Sequence, residues 1–271
     1  MVVELVSNNR LKTIRRVWLQ LLRLYFRMEV EGIEHLPETG RALIAPNHSG
    51  FAGFDAVLLA HVIKRETRRR PRLLAHRAFF DFSSRLAEIS EHFGLRKASV
   101  DGGAKMLEAG RLVILFPEGE TGNFKPSTRA YQLQKFHTGF LRMAIEAGAP
   151  IVPCIIIGAE ETHLNLGNIN LSKLFKGLRI PIPVNFLPLP AKWKIVFLPP
   201  ITSEKLPRTL LGDDVKLAAQ AQLIRRRMQR ELNVQLKKRP YVYSKKGDEL
   251  LARLGEKALA SSAIRAARRG K

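Results

Sequence analysis

The chain has 271 residues, 45% of them hydrophobic, with a single cysteine and a formal charge of +22. That length carries one large α/β domain or two small ones, and the apolar fraction argues against a disordered chain. The lone Cys154 excludes a disulfide framework and any multi-cysteine metal site; within the apolar run 151–157 it reads as a small buried hydrophobe.

The charge falls in patches. Residues 10–27 hold six bases and no acid, residues 64–72 six bases and one acid, residues 225–230 four bases, and residues 237–271 eleven bases against three acids. Such patches suit a polyanion, either anionic lipid headgroups or nucleic acid phosphates. No stretch is long, apolar and uncharged enough for a transmembrane helix, and the first residues lack the apolar core of a signal peptide. The expected location is therefore peripheral, on the cytoplasmic face of the inner membrane.

The first predicted element is a helix over residues 9–28. Leu11, Ile14, Trp18, Leu21, Tyr25 and Met28 recur at spacings of three and four, backed by Lys12, Arg16, Gln20, Arg23 and Arg27. An apolar stripe backed by bases is the design of a helix lying in a membrane interface; a stripe docked on the protein core is the other reading. Short apolar runs then predict strands at 28–33, 42–45, 73–76, 112–116, 151–157 and 194–198. Helical patterns fall at 55–63, 81–91, 103–108, 134–147 and 213–236. This alternation predicts a single α/β domain with a mixed, mostly parallel sheet flanked by helices. The expected division is an amphipathic membrane-interface helix (1–28), the main domain (29–243) and a basic tail (244–271). Residues 178–190 (LRIPIPVNFLPLP) contain four prolines, which excludes a regular helix or a central strand. They suit a lipid or acyl-chain contact, or a buried crossover loop.

Two segments carry chemistry. In 45–55 (APNHSGFAGFD) a strand ends and His48 and Asp55 follow, with Gly50 and Gly53 between them. A histidine accepts a hydroxyl proton at neutral pH when a carboxylate on its other ring nitrogen fixes the tautomer and stabilises the imidazolium. Seven residues along a regular helix would separate the pair by about 10 Å. The glycines are what allow the loop to fold back. In 112–123 (LVILFPEGETGN) a buried strand opens into Pro117-Glu118-Gly119, with Lys125 and Arg129 beyond; a strand-end glutamate there can bind hydroxyls or cap a turn.

Together, Asn47-His48 with a following aspartate and Phe116-Pro117-Glu118-Gly119 about seventy residues later resemble the glycerophospholipid acyltransferase superfamily. The resemblance covers about residues 28–200. Gly94-Leu95-Arg96 falls at the family's acceptor-binding motif, Ile151-Val152-Pro153 at its strand with a buried proline, and the stretch from 131 to 160 is similar to one bacterial branch. The resemblance implies an O-acyltransferase related to the 1-acylglycerol-3-phosphate enzymes. His48 would deprotonate a lysophospholipid or glycerolipid hydroxyl that attacks the thioester of acyl-CoA or acyl carrier protein, and Asp55 would orient His48. Asn47, Arg96, Glu118, Gly119, Lys125 and Arg129 would bind the acceptor. It implies no metal, no cofactor and no acyl-enzyme, and as partners an anionic membrane surface and the acyl donor.

Two departures bear on the acceptor. Six residues separate His48 from Asp55 where most of the family has four, a spacing that resembles a sub-branch related to neutral-lipid acyltransferases. Glu120 and Thr121 stand where the family has threonine and a phosphate-binding arginine, which argues against a terminal phosphomonoester. The competing readings are a catalytically inactive lipid-binding relative, a hydrolase in which His48 activates water, and a nucleic-acid-binding protein. No Gly-x-Ser-x-Gly elbow supports a serine hydrolase, and no run interleaves aromatics with bases as nucleic-acid stacking needs.

Overall fold

The computed structural model describes residues 2–49, 53–75, 95–170, 179–249 and 253. The predicted helix at 81–91 and nearly all of the basic tail lie outside these residues.

In chain order the elements are α1 (Val2–Tyr25), β1 (Glu29–Glu31), β2 (Ala42–Pro46), α2 (Phe54–Thr67), β3 (Arg72–Ala75), β4 (Leu95–Lys97), α3 (Val100–Glu108), β5 (Leu112–Ile114) and α4 (Glu120–Asn123). There follow α5 (Gly139–Glu146), β6 (Ile151–Ile157), α6 (Ala159–Thr162), β7 (Asn165–Asn170), β8 (Arg179–Pro183), β9 (Lys194–Phe197) and α7 (Asp214–Lys238). Seven strands form one sheet in the order β1-β9-β6-β2-β5-β3-β4, while β7 and β8 pair separately. Every neighbouring pair in the large sheet is parallel except β6 with β9. The sheet is therefore mixed and mostly parallel, flanked by helices on both faces, as the alternation of runs predicts.

The reason lies in the strands themselves. β6 reads Ile-Val-Pro-Cys-Ile-Ile-Ile and is buried at every position, the pattern of a central strand covered on both faces. Alternate residues feed two cores. Leu43, Val113, Ile151 and Ile155 face one cluster with Phe140, Leu217 and Met228; Ile44, Ile114, Val152 and Cys154 face another with Leu58, Leu59 and Trp193. Cys154 is fully buried, and desolvation pushes its thiol far up, which leaves it as an inert core residue.

Several boundaries differ from expectation for local reasons. α3 begins at Val100 rather than 103 because the Ser99 hydroxyl accepts from the Gly102 N–H and caps it. The helix expected over 134–147 begins only at Gly139. Tyr131 has a positive φ of 61°, Gln134 N–H is spent on Glu118, and His137 N–H on the Pro117 carbonyl, so this segment is held out of helical geometry. The hairpin β7–β8 and the short edge strand β4 were not expected. β8 carries Pro181 and Pro183 and pairs only with β7, the two-stranded setting in which prolines are tolerated.

The C-terminal part of α1 leads into the core. Leu19 and Phe26 are buried, and the Phe26 ring stacks on Trp193 with centroids 5.0 Å apart. Ile14, Val17, Trp18, Leu21, Leu24 and Tyr25 are exposed.

Candidate active site

β2 lies between β5 and β6, parallel to both. Parallel pairing puts the carboxyl ends of all three on one edge of the sheet, where ligands gather in α/β folds. His48 follows β2, Glu118 follows β5 and Glu160 follows β6. Topology thus brings together two motifs seventy residues apart and a third segment that neither includes.

His48 Nδ1 lies 2.6 Å from Asp55 Oδ2. The same oxygen accepts the Ser49 N–H at 2.9 Å, and Oδ1 accepts the Ala56 N–H at 2.8 Å. Asp55 is fully buried in the first turn of α2, where the positive end of the helix dipole favours a carboxylate. A carboxylate accepting on both oxygens requires Nδ1 to carry the hydrogen, which leaves the lone pair on Nε2. Nε2 has no partner among the described residues. Gly53, with φ 69°, is the left-handed residue that turns the chain into α2 and returns Asp55 to the ring; Gly50 lies outside the described residues. The imidazole stacks on Phe116, centroids 4.1 Å apart, so the two motifs meet at the ring itself.

Glu118 is fully buried. Its Oε1 accepts the backbone N–H of His48 at 2.9 Å and its Oε2 that of Gln134 at 2.6 Å. Gly119 holds φ 56° and ψ −146°, a combination open essentially to glycine alone, and so lets the chain turn directly behind the buried carboxylate. Gly122 makes the room: a Cβ there would lie 2.6 Å from Glu118 Cβ and 2.9 Å from its Cδ.

The residues expected to bind the acceptor separate in space. Asn47 is fully buried; its amide donates to the Ile156 carbonyl at 3.0 Å and its carbonyl accepts the Ile156 N–H at 2.7 Å. It fastens the end of β2 to β6. Glu118 holds the loop that carries His48, each of its oxygens accepting one backbone N–H. Lys125 does not reach toward Glu120; its Nζ lies 2.8 Å from Glu160 Oε1 in a buried ion pair. Arg129 is exposed at the end of a short 3-10 turn, and Arg96 lies on β4 with one guanidinium nitrogen donating to the Leu95 carbonyl. The Thr121 hydroxyl donates to the Glu118 carbonyl.

Glu160 was not singled out in the sequence, although a Gly-Ala-Glu step directly after the longest buried strand marks a strand-end carboxylate. Burial lifts its carboxyl to about 7, with Lys125 and the Tyr131 N–H pulling the other way. Its neighbour Glu161 takes the Tyr131 hydroxyl and Arg239, which ties α7 to this edge.

A histidine oriented by a buried carboxylate, with no partner on its second nitrogen among the described residues, at the carboxyl edge of a mostly parallel sheet, is an arrangement able to accept a proton from a hydroxyl. Residues 27–157 match the family described as Acyltransferase. These residues of the chain form an acyltransferase domain. It is 38% identical over 189 residues to an uncharacterized protein of Mycobacterium tuberculosis, covering 65% of this chain and 52% of that one. It is 28% identical over 210 residues to the human "DGAT1/2-independent enzyme synthesizing storage lipids", covering 72% of this chain and 62% of that one. The chain thus spans about half the length of the mycobacterial relative. Its fold resembles the crystal structure of the 1-acyl-sn-glycerophosphate acyltransferase PlsC of Thermotoga maritima, with a TM-score of 0.53 at 15% identity, covering 85% of this chain and 84% of that one.

Proposed function

We propose that the protein transfers a fatty acyl group from a thioester, acyl-CoA or acyl carrier protein, to the hydroxyl of a glycerolipid lacking a terminal phosphomonoester. The observation that carries this reading is the His48–Asp55 pair at 2.6 Å with Nε2 left open. Nε2 takes the proton of the acceptor hydroxyl as its oxygen forms a bond to the thioester carbonyl carbon. The tetrahedral oxyanion collapses with cleavage of the carbon–sulfur bond, and the leaving thiolate takes the proton from the imidazolium. No acyl-enzyme is needed, and the buried Cys154 plays no part.

Two features favour an uncharged acceptor or a phosphodiester. Lys125, a base close to the motif, is neutralised by Glu160. Glu120 stands one residue beyond the Glu118-Gly119 turn, and a carboxylate repels a phosphomonoester, which arginine forks normally hold. The name of the human relative, with its reference to storage lipids, points the same way. The test offers lysophosphatidic acid, a lysophospholipid diester and monoacylglycerol at equal surface density with one thioester donor. The diester or monoacylglycerol should be acylated preferentially; a tenfold or greater preference for lysophosphatidic acid would overturn this reading.

The same reading places the protein on an anionic lipid surface. Among the described residues no helix is long and apolar enough to cross a membrane. α1 exposes Leu24 at 64%, and the proline-rich loop exposes Phe186 at 77% and Leu187 at 83%. The two are linked, since the Tyr25 hydroxyl donates to the Pro188 carbonyl at 2.7 Å. Deleting α1 would also remove Leu19 from the core and the chain leading into Phe26, so substitution is the cleaner test. Leu24→Ser and Leu187→Ser should each weaken binding to vesicles containing anionic lipid by roughly tenfold, with thermal stability unchanged. Binding should also fall with salt. Wild-type affinity in the double variant would remove this surface from the account.

A further inference from the structure

Beside His48 lies a small polar cavity lined by Ser49, Gly122, Asn123, Lys125, Glu160 and His163. Its size admits little more than a water molecule or one hydroxyl group. Ser49 is 1% exposed; its backbone N–H is spent on Asp55, while its hydroxyl has no partner among the described residues. Asn123 Oδ1 is buried and unpartnered too. Lys125 and Glu160, 8% and 7% exposed, face each other across 2.8 Å as an ion pair. The remaining polar wall is already satisfied: Ser127 Oγ accepts the Asn165 N–H, and the Asn165 amide donates to the carbonyls of Phe124 and Lys125.

Two buried polar atoms with no partner among the described residues, Ser49 Oγ and Asn123 Oδ1, therefore border one space together with the Lys125–Glu160 ion pair, and native interiors rarely leave such atoms unsatisfied. Their chemistry specifies the occupant. Lysine only donates, the asparagine oxygen and the ionised form of the glutamate only accept, and serine does both. An occupant that satisfies them must donate and accept at once, which a hydroxyl does and a phosphate does not. The charge balance agrees, because Lys125 and Glu160 cancel and the nearby Glu118 carboxylate disfavours an anion.

We propose that this cavity is a subsite for a second, non-reacting hydroxyl of the acyl acceptor, so that the preferred acceptor is a neutral lipid diol such as a monoacylglycerol. This rests on the acyl-transfer reading above and narrows it. One hydroxyl meets His48 Nε2 while its neighbour hydrogen-bonds Ser49 Oγ, Asn123 Oδ1 and the Lys125–Glu160 pair, which fixes the orientation of the reacting oxygen. Ser49 and Asn123 are then specificity-determining residues for the acceptor.

The experiment compares a monoacylglycerol with the matching monoacyl ester of propanediol, which keeps one hydroxyl and lacks the other, using the full-length protein and a single thioester donor. Wild type should favour the diol in kcat/KM by at least about tenfold, since a site built to bond a hydroxyl rejects the analogue without it. Ser49→Ala and Asn123→Ala should each bring that ratio toward one, chiefly through KM for the diol, with the thermal midpoint recorded to separate loss of fold. A wild-type ratio near one, or a ratio that both variants leave intact, overturns the proposal and leaves the cavity to a structural water only. If neither lipid is acylated, the acyl-transfer reading fails as a separate result. Equilibrium binding of the two lipids in detergent micelles then decides the subsite, with a tighter Kd for the diol supporting it and equal Kd values overturning it.

Discussion

Replacing His48 by alanine is expected to abolish acyl transfer while leaving the protein folded. The imidazole side chain is 16% exposed and stacks on Phe116, but the bonds that hold its loop do not use the ring: Glu118 keeps the His48 backbone N–H, and Asp55 keeps the N–H groups of Ser49 and Ala56. Loss of the ring takes away the group that, in the proposed mechanism, accepts the acceptor proton. Asp55→Asn should cost activity on a comparable scale, by analogy about 10⁴-fold, because the imidazole loses both its tautomer control and its counter-charge. Asp55→Asn should also destabilise the fold. Both carboxylate oxygens accept backbone N–H groups, from Ser49 and from Ala56, so an amide NH₂ at either position sets donor against donor. Steady-state kinetics read alongside thermal unfolding separate the two effects. More than about a tenth of wild-type activity in His48→Ala would remove His48 from the role of base.

Glu118→Ala should be the second most damaging change, through position rather than through the acceptor. Its carboxylate is fully buried and satisfies the N–H groups of His48 and Gln134. Truncation orphans both, at about 1–3 kcal/mol each in stability, and frees the backbone that carries the base. A displacement of about 1 Å in a catalytic group can cost on the order of 10² in rate. Glu118→Gln should resemble Glu118→Ala, because each oxygen accepts one N–H and an amide can replace only one of them. Gly122→Ala offers an independent route to the same outcome, since its Cβ would drive the Glu118 carboxylate from its place. The signature is a fall in kcat with the acceptor KM nearly unchanged. A large rise in acceptor KM with kcat preserved would instead make Glu118 an acceptor ligand.

Much of this architecture follows from local pattern. The buried run Ile151–Ile157 could only be a doubly covered strand, and helices alternating with such runs dictate a mostly parallel sheet. His48 with Asp55, and Glu118 with Gly119, stood out because strand ends followed by glycine and ionisable residues are where chemistry is held. Side-chain partners were another matter. Asn47 lies next to the base in sequence, yet its amide is consumed by Ile156, because β6 happens to be the neighbour of β2. Glu118 sits on an exposed-looking turn in the sequence, yet it is buried because Gly122 leaves space for it and two backbone N–H groups claim it. Lys125 could have met Glu120 nearby in the chain; it meets Glu160, thirty-five residues on, because β6 delivers that carboxylate to the same edge. The sequence by itself determined the residue types, their periodicity and the strand ends that carry them. Which of those groups face one another, and which polar atoms are left unpartnered beside His48, was decided only by strand order. Hydrogen bonds and charges act over a few ångströms, and the pairing of β5, β2 and β6 sets those distances among residues far apart in the chain.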